Sequence, residues 1–320
     1  MKKSKYDPLN LQCGIDTVSI RTDQQPHTDP ATGKLPAGCT DIGYSNGLVT
    51  LKINPNKYTG DGIELYSFAD FCAAMRCILS QLHIDHYYYS RIDVRFDSYC
   101  AKYEDVDKLN RALILSYWHI NHSTDNLYQT SHGWTQRRLS SCYKGNTSEI
   151  ESYNKEVEEP TGLVLSRLEV RSTHQVAPAA QQSEAAKPIS ILNRWKAALR
   201  GSVPEYAQMT ADRNKVLQRE YIEGKAQGRY TNVNAFVRQH IGDVYSVQQL
   251  DNLFSLLDSR SPTKGRYNFV QRNPLLQKQF ISEKDLQRYV EYLCSCIDSY
   301  ISAEMSNFDP QSNQNEQQIA

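Results

Sequence analysis

The sequence predicts an α+β fold, a mainly antiparallel β-sheet with helices on one face, followed by a mostly helical C-terminal domain. In the first half of the chain, short segments alternate apolar and polar residues, the pattern of half-buried strands. Several of these segments follow one another closely, and short connections favour antiparallel pairing. Beyond residue 189, apolar residues instead recur at helical spacing.

The predicted elements of the first half follow the order β-β-α-β-α-β-β-β. The strands are assigned to residues 15–20, 48–53, 87–97, 139–144, 149–154 and 163–171. Residues 22–47, rich in Pro, Gly, Asp and Thr, are predicted to form a long loop. The first helix begins after Ser67, a favourable N-cap, and the second spans about residues 104–117. Both helices are expected to cover one face of the sheet.

The composition of the chain changes after the last predicted strand. We predict a sheet domain over residues 1–175, a linker rich in Ala, Pro and Gln over 176–188, a helical domain over 189–307 and a disordered tail over 308–320. Helices are expected at about 189–200, 204–227, 231–241, 246–258 and 283–304.

Residues 231–272 leave two interpretations open, a winged helix that binds duplex DNA and a packing or dimerisation module. Lys264, Arg266 and Arg272 are the candidates for phosphate contacts in this segment.

Charge and cysteine content limit the classes of protein to which the chain can belong. Its 36 Lys and Arg balance its 36 Asp and Glu, so any basic surface must be local. The chain has neither a signal-peptide pattern nor an apolar run of membrane-spanning length. Its 8 cysteines lack the spacing of a zinc site and indicate reduced thiols in the cytoplasm. Its 21 tyrosines favour half-buried sheet faces over a base-stacking surface.

Three predicted strands carry charged residues on alternate positions. These residues are expected to share one face, and they are Arg91, Asp93, Arg95 and Asp97; Glu149, Glu151, Tyr153 and Lys155; and Arg167, Glu169 and Arg171. Carboxylates in such a set can bind Mg²⁺ or Mn²⁺, and a tyrosine hydroxyl can attack a phosphate. Alternation alone, however, favours a solvated sheet face with cross-strand ion pairs.

The order of several motifs resembles a known family. The sequence reads R-I-D-V-R-F-D, then Y-K-G-N-T-S-E-I-E-S-Y-N-K-E-V-E-E, then R-L-E-V-R, after an opening G-I-D-T-V and a K-I-N-P-N-K-Y-T-G segment. Over about residues 14–173 it resembles the replication initiators of small rolling-circle plasmids, the Rep_trans family, and the filamentous-phage replication endonucleases called gene II proteins.

That resemblance implies an HUH-like relaxase or initiator fold and a nicking-joining activity in residues 1–175. The tyrosine of the family's Y-x-K segment, its nucleophile, matches Tyr153, and the family lysine matches Lys155. The positions that match the family's metal ligands are Asp93 and Glu169, with Asp97 and Glu151 as further candidates. Asn154 stands where many plasmid members have an acidic residue, and Tyr143 is the rival nucleophile.

The other charged residues of the face receive supporting roles. Lys155 or an arginine such as Arg171 would lower the pKa of Tyr153 or stabilise the pentavalent phosphorus. Arg91, Arg95 and Arg167 are predicted to bind DNA. The H-x-x-H pairs at 83–86 and 119–122 are interpreted as surface histidines.

The sequence therefore predicts an enzyme that nicks and rejoins one DNA strand at a plasmid or phage origin through a 5′-phosphotyrosine. Expected partners are origin DNA and a host helicase, with a homodimer possible and no membrane. The alternatives are a conjugative relaxase of an integrative element, a hydrolytic nuclease without a covalent step, and a catalytically inactive DNA-binding regulator with the same fold.

Overall fold

A computed structural model of the chain describes eight strands of one sheet and five helices. The described residues are 10–60, 65–99, 106, 108–110, 112–113, 127–130, 133–139, 146–155, 165–174, 186–230, 232–239, 254–255, 267 and 283–304. The strands are β1 Leu11–Thr22, β2 Cys39–Ser45, β3 Leu48–Ile53, β4 Tyr88–Tyr99, β5 Leu127–Thr130, β6 Gly133–Leu139, β7 Asn146–Asn154 and β8 Leu165–His174. The helices are α1 Pro55–Tyr58, α2 Phe68–Gln81, α3 Ala186–Ala226, α4 Val233–Gln239 and α5 Glu283–Ser302.

All paired strands of the described sheet are antiparallel, in the order β2-β3-β1-β4-β8-β7-β6-β5. The α+β class with an antiparallel sheet is thus confirmed. The order places β4 and β8 at the centre, with β7 beside β8. The strands that carry the predicted site are therefore neighbours.

The prediction of a loop over residues 22–47 was wrong in its last part. β2 pairs with β3 through a tight hairpin in which Asn46 and Gly47 both have positive φ, 54° and 77°. A two-residue turn with positive φ at both positions matches the twist of the strands, and Asn-Gly is its preferred sequence. The Asn-Gly pair was the available signal for this hairpin.

The strands around residue 139 also differ from the prediction. β6 ends at Leu139, where the predicted strand began, and residues 140–145 lie outside the described part of the chain. β5 pairs with β6 across Thr130 and Gly133, and it was not predicted. Its short length gives too few alternating positions for the pattern to be recognised.

The apolar face of the sheet forms the core of this part of the molecule. Fully buried residues on it include Ile15, Val18, Leu51, Val94, Phe96, Leu168 and Val170. α2 begins where predicted, because the Ser67 side chain accepts a hydrogen bond from Asp70 N. Phe68 of α2 packs edge-on against Tyr300 of α5, and the Tyr300 hydroxyl accepts a bond from Ile15 N. Both helices therefore contribute to the core beside β1.

The chain divides into two compact units. The first contains residues 1–101, 123–197 and 292–320, and the second contains 102–122 and 198–291. The described residues between 106 and 113 are helical, as predicted, but they belong to the second unit and not to the sheet. There Tyr289 donates a hydrogen bond to Asn110 in the interior of the unit.

Most of the described residues of the C-terminal region are helical. One helix, α3, replaces the two predicted over 189–200 and 204–227, and Pro204 lies inside it. A proline removes one main-chain hydrogen bond, and buried Leu199 and Tyr206 flank it within the continuous helix. The predicted linker lies outside the described residues except for 186–188, which begin α3. Within the described residues, no helix is both long enough and apolar enough to cross a membrane.

Candidate functional site

The polar residues of β4, β8 and β7 lie on one face of the sheet, as the alternation predicted. Strand register brings them into rows. Read from β4 through β8 to β7, the rows are Asp93–Arg171–Glu149, Arg95–Glu169–Glu151 and Asp97–Arg167–Tyr153. Acidic and basic residues therefore alternate along β4 and β8 and face each other between these two strands, whereas β7 places Glu151 beside Glu169.

One end of this face forms a buried network of Asp16, Arg95, Asp97 and Arg167. Arg167 Nε donates to Asp97 Oδ1 at 2.6 Å, and its Nη2 donates to Oδ2 at 3.0 Å. Arg95 Nη1 lies 3.1 Å from Asp97 Oδ2, and both side chains are 0% exposed. Arg167 Nη1 reaches Asp16 Oδ1 at 2.9 Å. Two guanidinium groups and two carboxylates thus neutralise one another, and of the four only Asp16 keeps appreciable exposure, at 16% of its side chain.

Asn56 covers this buried network from the segment that follows β3. Its side-chain oxygen accepts bonds from Arg95 Nη2 at 3.3 Å and from Leu65 N at 3.0 Å. Its amide nitrogen donates to the carbonyls of Ile15 and Asp16 at 3.4 Å. The β1–β4 register shifts between Ile15 and Thr17, so Asn56 satisfies the carbonyls of an irregular strand. This irregularity is where Asp16 meets Arg167.

Gly14 and Tyr66 complete the cover. A Cβ atom on Gly14 would lie 2.9 Å from Arg95 Nε and 3.1 Å from the Leu65 carbonyl oxygen, so only glycine fits there. The Tyr66 ring lies 5.3 Å from the Arg95 guanidinium carbon, and its hydroxyl is 2.5 Å from that of Tyr99. Burial, together with the bond to Tyr99, raises the pKa of Tyr66.

The other end of the face carries the Tyr153 cluster, defined as Glu151, Tyr153, Glu169 and Arg171. The Tyr153 hydroxyl donates to Glu169 Oε2 at 3.3 Å. Arg171 Nε donates to Glu169 Oε1 at 2.8 Å, and Arg171 Nη2 lies 2.8 Å from Glu151 Oε2. Arg171 is 21% exposed, whereas Arg167 is 4% exposed. The tyrosine hydroxyl therefore sits in a charged cluster that solvent reaches.

Burial and neighbouring charges act differently on the carboxylates of this face. Burial raises the pKa of Asp93 to about 7, although the Arg91 guanidinium acts in the opposite direction. Burial would also raise the pKa of Asp16, but Arg167 and Arg95 outweigh it and hold that pKa below its usual range. Asp16 is therefore held as a charged ion-pair partner, whereas the surroundings of Asp93 disfavour its charged form.

The predicted metal ligands share the face but divide into two kinds. Both oxygens of Asp97 are bound by arginines, and both oxygens of Asp93 are bound by Arg91. Glu151 and Glu169 lie instead on neighbouring strands beside Tyr153. Among the described residues, no group of three or more His, Cys, Asp or Glu side chains is placed to hold a metal ion.

The remaining predicted residues occupy varied positions. Arg91 is half-exposed, whereas the guanidinium groups of Arg95 and Arg167 are buried and would reach a phosphate only if their ion pairs opened. Lys155 directly follows β7, is half-buried, and acts electrostatically on Asp16. The positions predicted at Tyr143, Lys264, Arg266 and Arg272 lie outside the described residues.

Sequence reasoning missed Asp16 and Asn56. Asp16 lies in the first predicted strand, where alternation already placed it opposite the apolar residues, so a fourth acidic strand was visible. Asn56 gave no comparable signal, because its role depends on the carbonyls of an irregular strand far away in sequence.

No model of a known protein family matches the chain, and a search of curated proteins finds no relative. The resemblance to rolling-circle initiators therefore remains a prediction from the motifs.

Proposed function

We propose that this chain nicks and rejoins one strand of DNA, with Tyr153 as the nucleophile, as a rolling-circle replication initiator does. The observation that carries the proposal is the bond of 3.3 Å between the Tyr153 hydroxyl and Glu169 Oε2. A phenol is a weak nucleophile at neutral pH because its usual pKa is about 10. A carboxylate that accepts the phenolic proton removes that obstacle.

The cations around Tyr153 support the same chemistry. Arg171 binds the second oxygen of Glu169, which orients this carboxylate toward the hydroxyl. Arg167 lies opposite Tyr153 in the strand register, and its buried charge favours a developing phenolate. Arg171 is also the more exposed of the two arginines and can contact a phosphate oxygen as charge builds on it.

The proposed reaction is a transesterification. Tyr153 Oη attacks phosphorus while its proton passes to Glu169, and a bond forms between the tyrosine and the 5′ phosphate. The bond from phosphorus to the 3′ oxygen breaks, and that oxygen leaves with the electron pair and takes up a proton. Rejoining reverses these steps, so no hydrolysis or cofactor oxidation is required.

The divalent cation of the proposal, Mg²⁺ or Mn²⁺, fits only part of the predicted ligand set. Glu151 and Glu169 offer the oxygen donors that such ions prefer, beside the tyrosine. Asp93 and Asp97 would first have to leave Arg91, Arg95 and Arg167. A cation held by Glu151 and Glu169 would supply charge to neutralise the phosphate.

The proposal also includes an HUH-like arrangement of the sheet, a plasmid or phage origin as the substrate, a host helicase as a partner and a cytoplasmic location. A conjugative relaxase would use the same chemistry on a transfer origin.

A second candidate function is a DNA-binding regulator without catalytic activity. The specific observation in its favour is that each of the predicted metal ligands contacts an arginine. Carboxylates neutralised in this way can serve the fold alone.

The test is a nicking assay on supercoiled plasmid that carries the DNA flanking the gene, with Mg²⁺ or Mn²⁺. Wild type is expected to nick and to form a covalent protein–DNA adduct on denaturing gels. Tyr153→Phe is expected to do neither, and Tyr143→Phe, the matched control, to do both. Nicking by Tyr153→Phe would overturn the assignment. Nicking without an adduct would indicate a hydrolytic nuclease, and an intact plasmid with every protein would favour the regulator.

A further inference from the structure

The polar face of the sheet has a second charged region, at the end of β1 and β4 that Asn56 does not cover. Strand register there forms the rows Lys52–Ser19–Arg91 and Thr50–Arg21–Tyr88, each read from β3 through β1 to β4. Directly opposite residues of antiparallel strands share a face. Arg21, Lys52 and Arg91 therefore lie together, and we call these three residues the basic corner.

The charges of the basic corner are largely not neutralised. Lys52 is exposed and has no carboxylate partner among the described residues. Arg21 Nε donates to the Thr50 hydroxyl at 3.3 Å, and within the described part of the chain no carboxylate accompanies it. Arg91 is bound by Asp93 and still keeps 31% of its side chain exposed. The corner thus carries a net positive charge, in contrast to the paired charges around Arg167.

The neighbouring strand positions add hydroxyl and aromatic groups. On β2, Thr40 lies opposite Lys52, and Gly43 lies opposite Thr50. Tyr88 of β4 lies opposite Arg21 and is half-buried. Cations with interspersed hydroxyls bind phosphate oxygens, and an exposed aromatic edge provides a surface for an unpaired base. Because the chain as a whole has no net charge, the positive charge of the basic corner is a local excess on its surface.

The basic corner is also within reach of the Tyr153 cluster. The sheet order β3-β1-β4-β8-β7 separates Lys52 from Tyr153 by four strand spacings, about 19 Å at about 4.8 Å per strand. The row of Lys52 crosses β4 at Arg91 and the row of Tyr153 crosses it at Asp97, which adds about 20 Å along the strand and gives about 28 Å in all. Both regions face the same side of the sheet. A flexible single strand can follow such a path, whereas a rigid duplex would have to bend onto it.

We propose that the basic corner binds the phosphate backbone of single-stranded DNA, at a distance from the scissile phosphate. This inference rests on the proposed function for the identity of the strand, and it gives Arg21 and Lys52 a role that the motifs did not assign to them. Arg21 and Lys52 act in it as phosphate contacts, and Tyr153 takes no part in this binding.

The test measures binding separately from nicking. A fluorescein-labelled oligodeoxythymidine of about 16 nucleotides, near the upper end of common single-strand site sizes, is titrated by fluorescence anisotropy in EDTA. The protein is the full chain with Tyr153→Phe, so that no covalent adduct forms. The double variant Arg21→Gln/Lys52→Gln is compared with a control double variant, Arg76→Gln/Arg194→Gln. The second pair removes the same charge from exposed positions on α2 and α3.

Loss of the basic corner is expected to weaken binding about tenfold and to lower the slope of log affinity against log salt by about 1.4, since each single-strand phosphate contact contributes about 0.7. The control pair is expected to change neither value appreciably. An equal loss in both pairs, tight binding by the corner variant, or a preference for duplex of the same length would overturn the inference. If the wild-type protein binds the oligonucleotide but does not nick plasmid, the proposed function is wrong, whereas the inference that the basic corner binds single-stranded DNA is still supported.

Discussion

The buried network, on β1, β4 and β8, and the Tyr153 cluster, on β7 and β8, are neighbours in the sheet and are built around the same residue types, arginine and carboxylate. In the buried network, Asp97 is enclosed by two arginines and is 0% exposed. In the Tyr153 cluster, Glu169 divides its oxygens between Arg171 and the tyrosine hydroxyl. The same alternation of charges therefore makes a structural core in one place and an accessible reactive group in the other.

The difference arises from what covers each end of the face. Asn56 and Tyr66 contact the buried Arg95 guanidinium, and Leu65 N holds the Asn56 side chain in place. Removing charges from water is costly, and the cost is offset only when every charge is paired. The buried network consequently tolerates no missing partner, whereas the more exposed Tyr153 cluster can lose one at a smaller cost.

The largest expected effect is on stability in the buried network. Asp97→Ala leaves Arg95 and Arg167 buried without their shared carboxylate, and we expect the free energy of unfolding to fall by about 3–5 kcal/mol. Urea denaturation followed by circular dichroism measures it. Glu151→Ala, which removes a partly exposed partner of Arg171, should cost about 1 kcal/mol or less. Equal losses in the two variants would show that the two ends of the face do not differ as argued.

The next effect is on activity in the Tyr153 cluster. Glu169→Gln keeps an oxygen that can accept the tyrosine hydrogen bond but removes the base, and we expect strand nicking to slow about 100-fold. The rate of adduct formation, measured across a pH series, checks this. Because Glu151 still pairs with Arg171, the free energy of unfolding should change far less than in Asp97→Ala. An unchanged nicking rate would exclude Glu169 as the proton acceptor.

The same comparison shows what the sequence could and could not predict. Period-two alternation placed Asp93, Glu169 and Tyr153 on one face, because side chains alternate on every strand, and neighbouring strands then aligned them. Alternation carries no information about what lies above the face. It could not distinguish buried Arg167 from accessible Arg171, since both occupy equivalent positions on β8.

Long-range contacts account for most of the features that the sequence could not predict. The ion pair from Arg167 to Asp16 joins residues 151 positions apart. The bond from Asn56 to the Ile15 carbonyl depends on an irregularity that two strands create together. The basic corner likewise exists only because β3, β1 and β4 are adjacent in the sheet. The Asn-Gly pair of the β2–β3 hairpin and the alternation around Asp16 are the features with a local signal in the sequence.

Gly14→Ala tests the cover of the buried network without changing a charge. The added methyl would meet Arg95 Nε at 2.9 Å and the Leu65 carbonyl oxygen at 3.1 Å. We expect a loss of about 1–3 kcal/mol of stability, because backbone must move to accommodate the atom. Thermal and urea denaturation measure the loss. Gly201→Ala, in α3 where nothing lies within 4 Å of the new atom, is the control and should be neutral or stabilising.

The smallest expected effect separates charge from packing at Asp16. Because its arginine partners hold its folded pKa below the usual value, Asp16 contributes stability that is present above the unfolded pKa of about 3.9 and is lost as pH falls through the lower folded pKa. Asp16→Asn keeps the shape and should lower the free energy of unfolding by about 1 kcal/mol at pH 7. Urea denaturation of both proteins between about pH 3 and 7 should show this difference shrinking toward the acid end. A difference that stays constant down to the lowest pH would mean that Asp16 acts by packing and not by its charge, and the buried network would then depend on Asp97 alone.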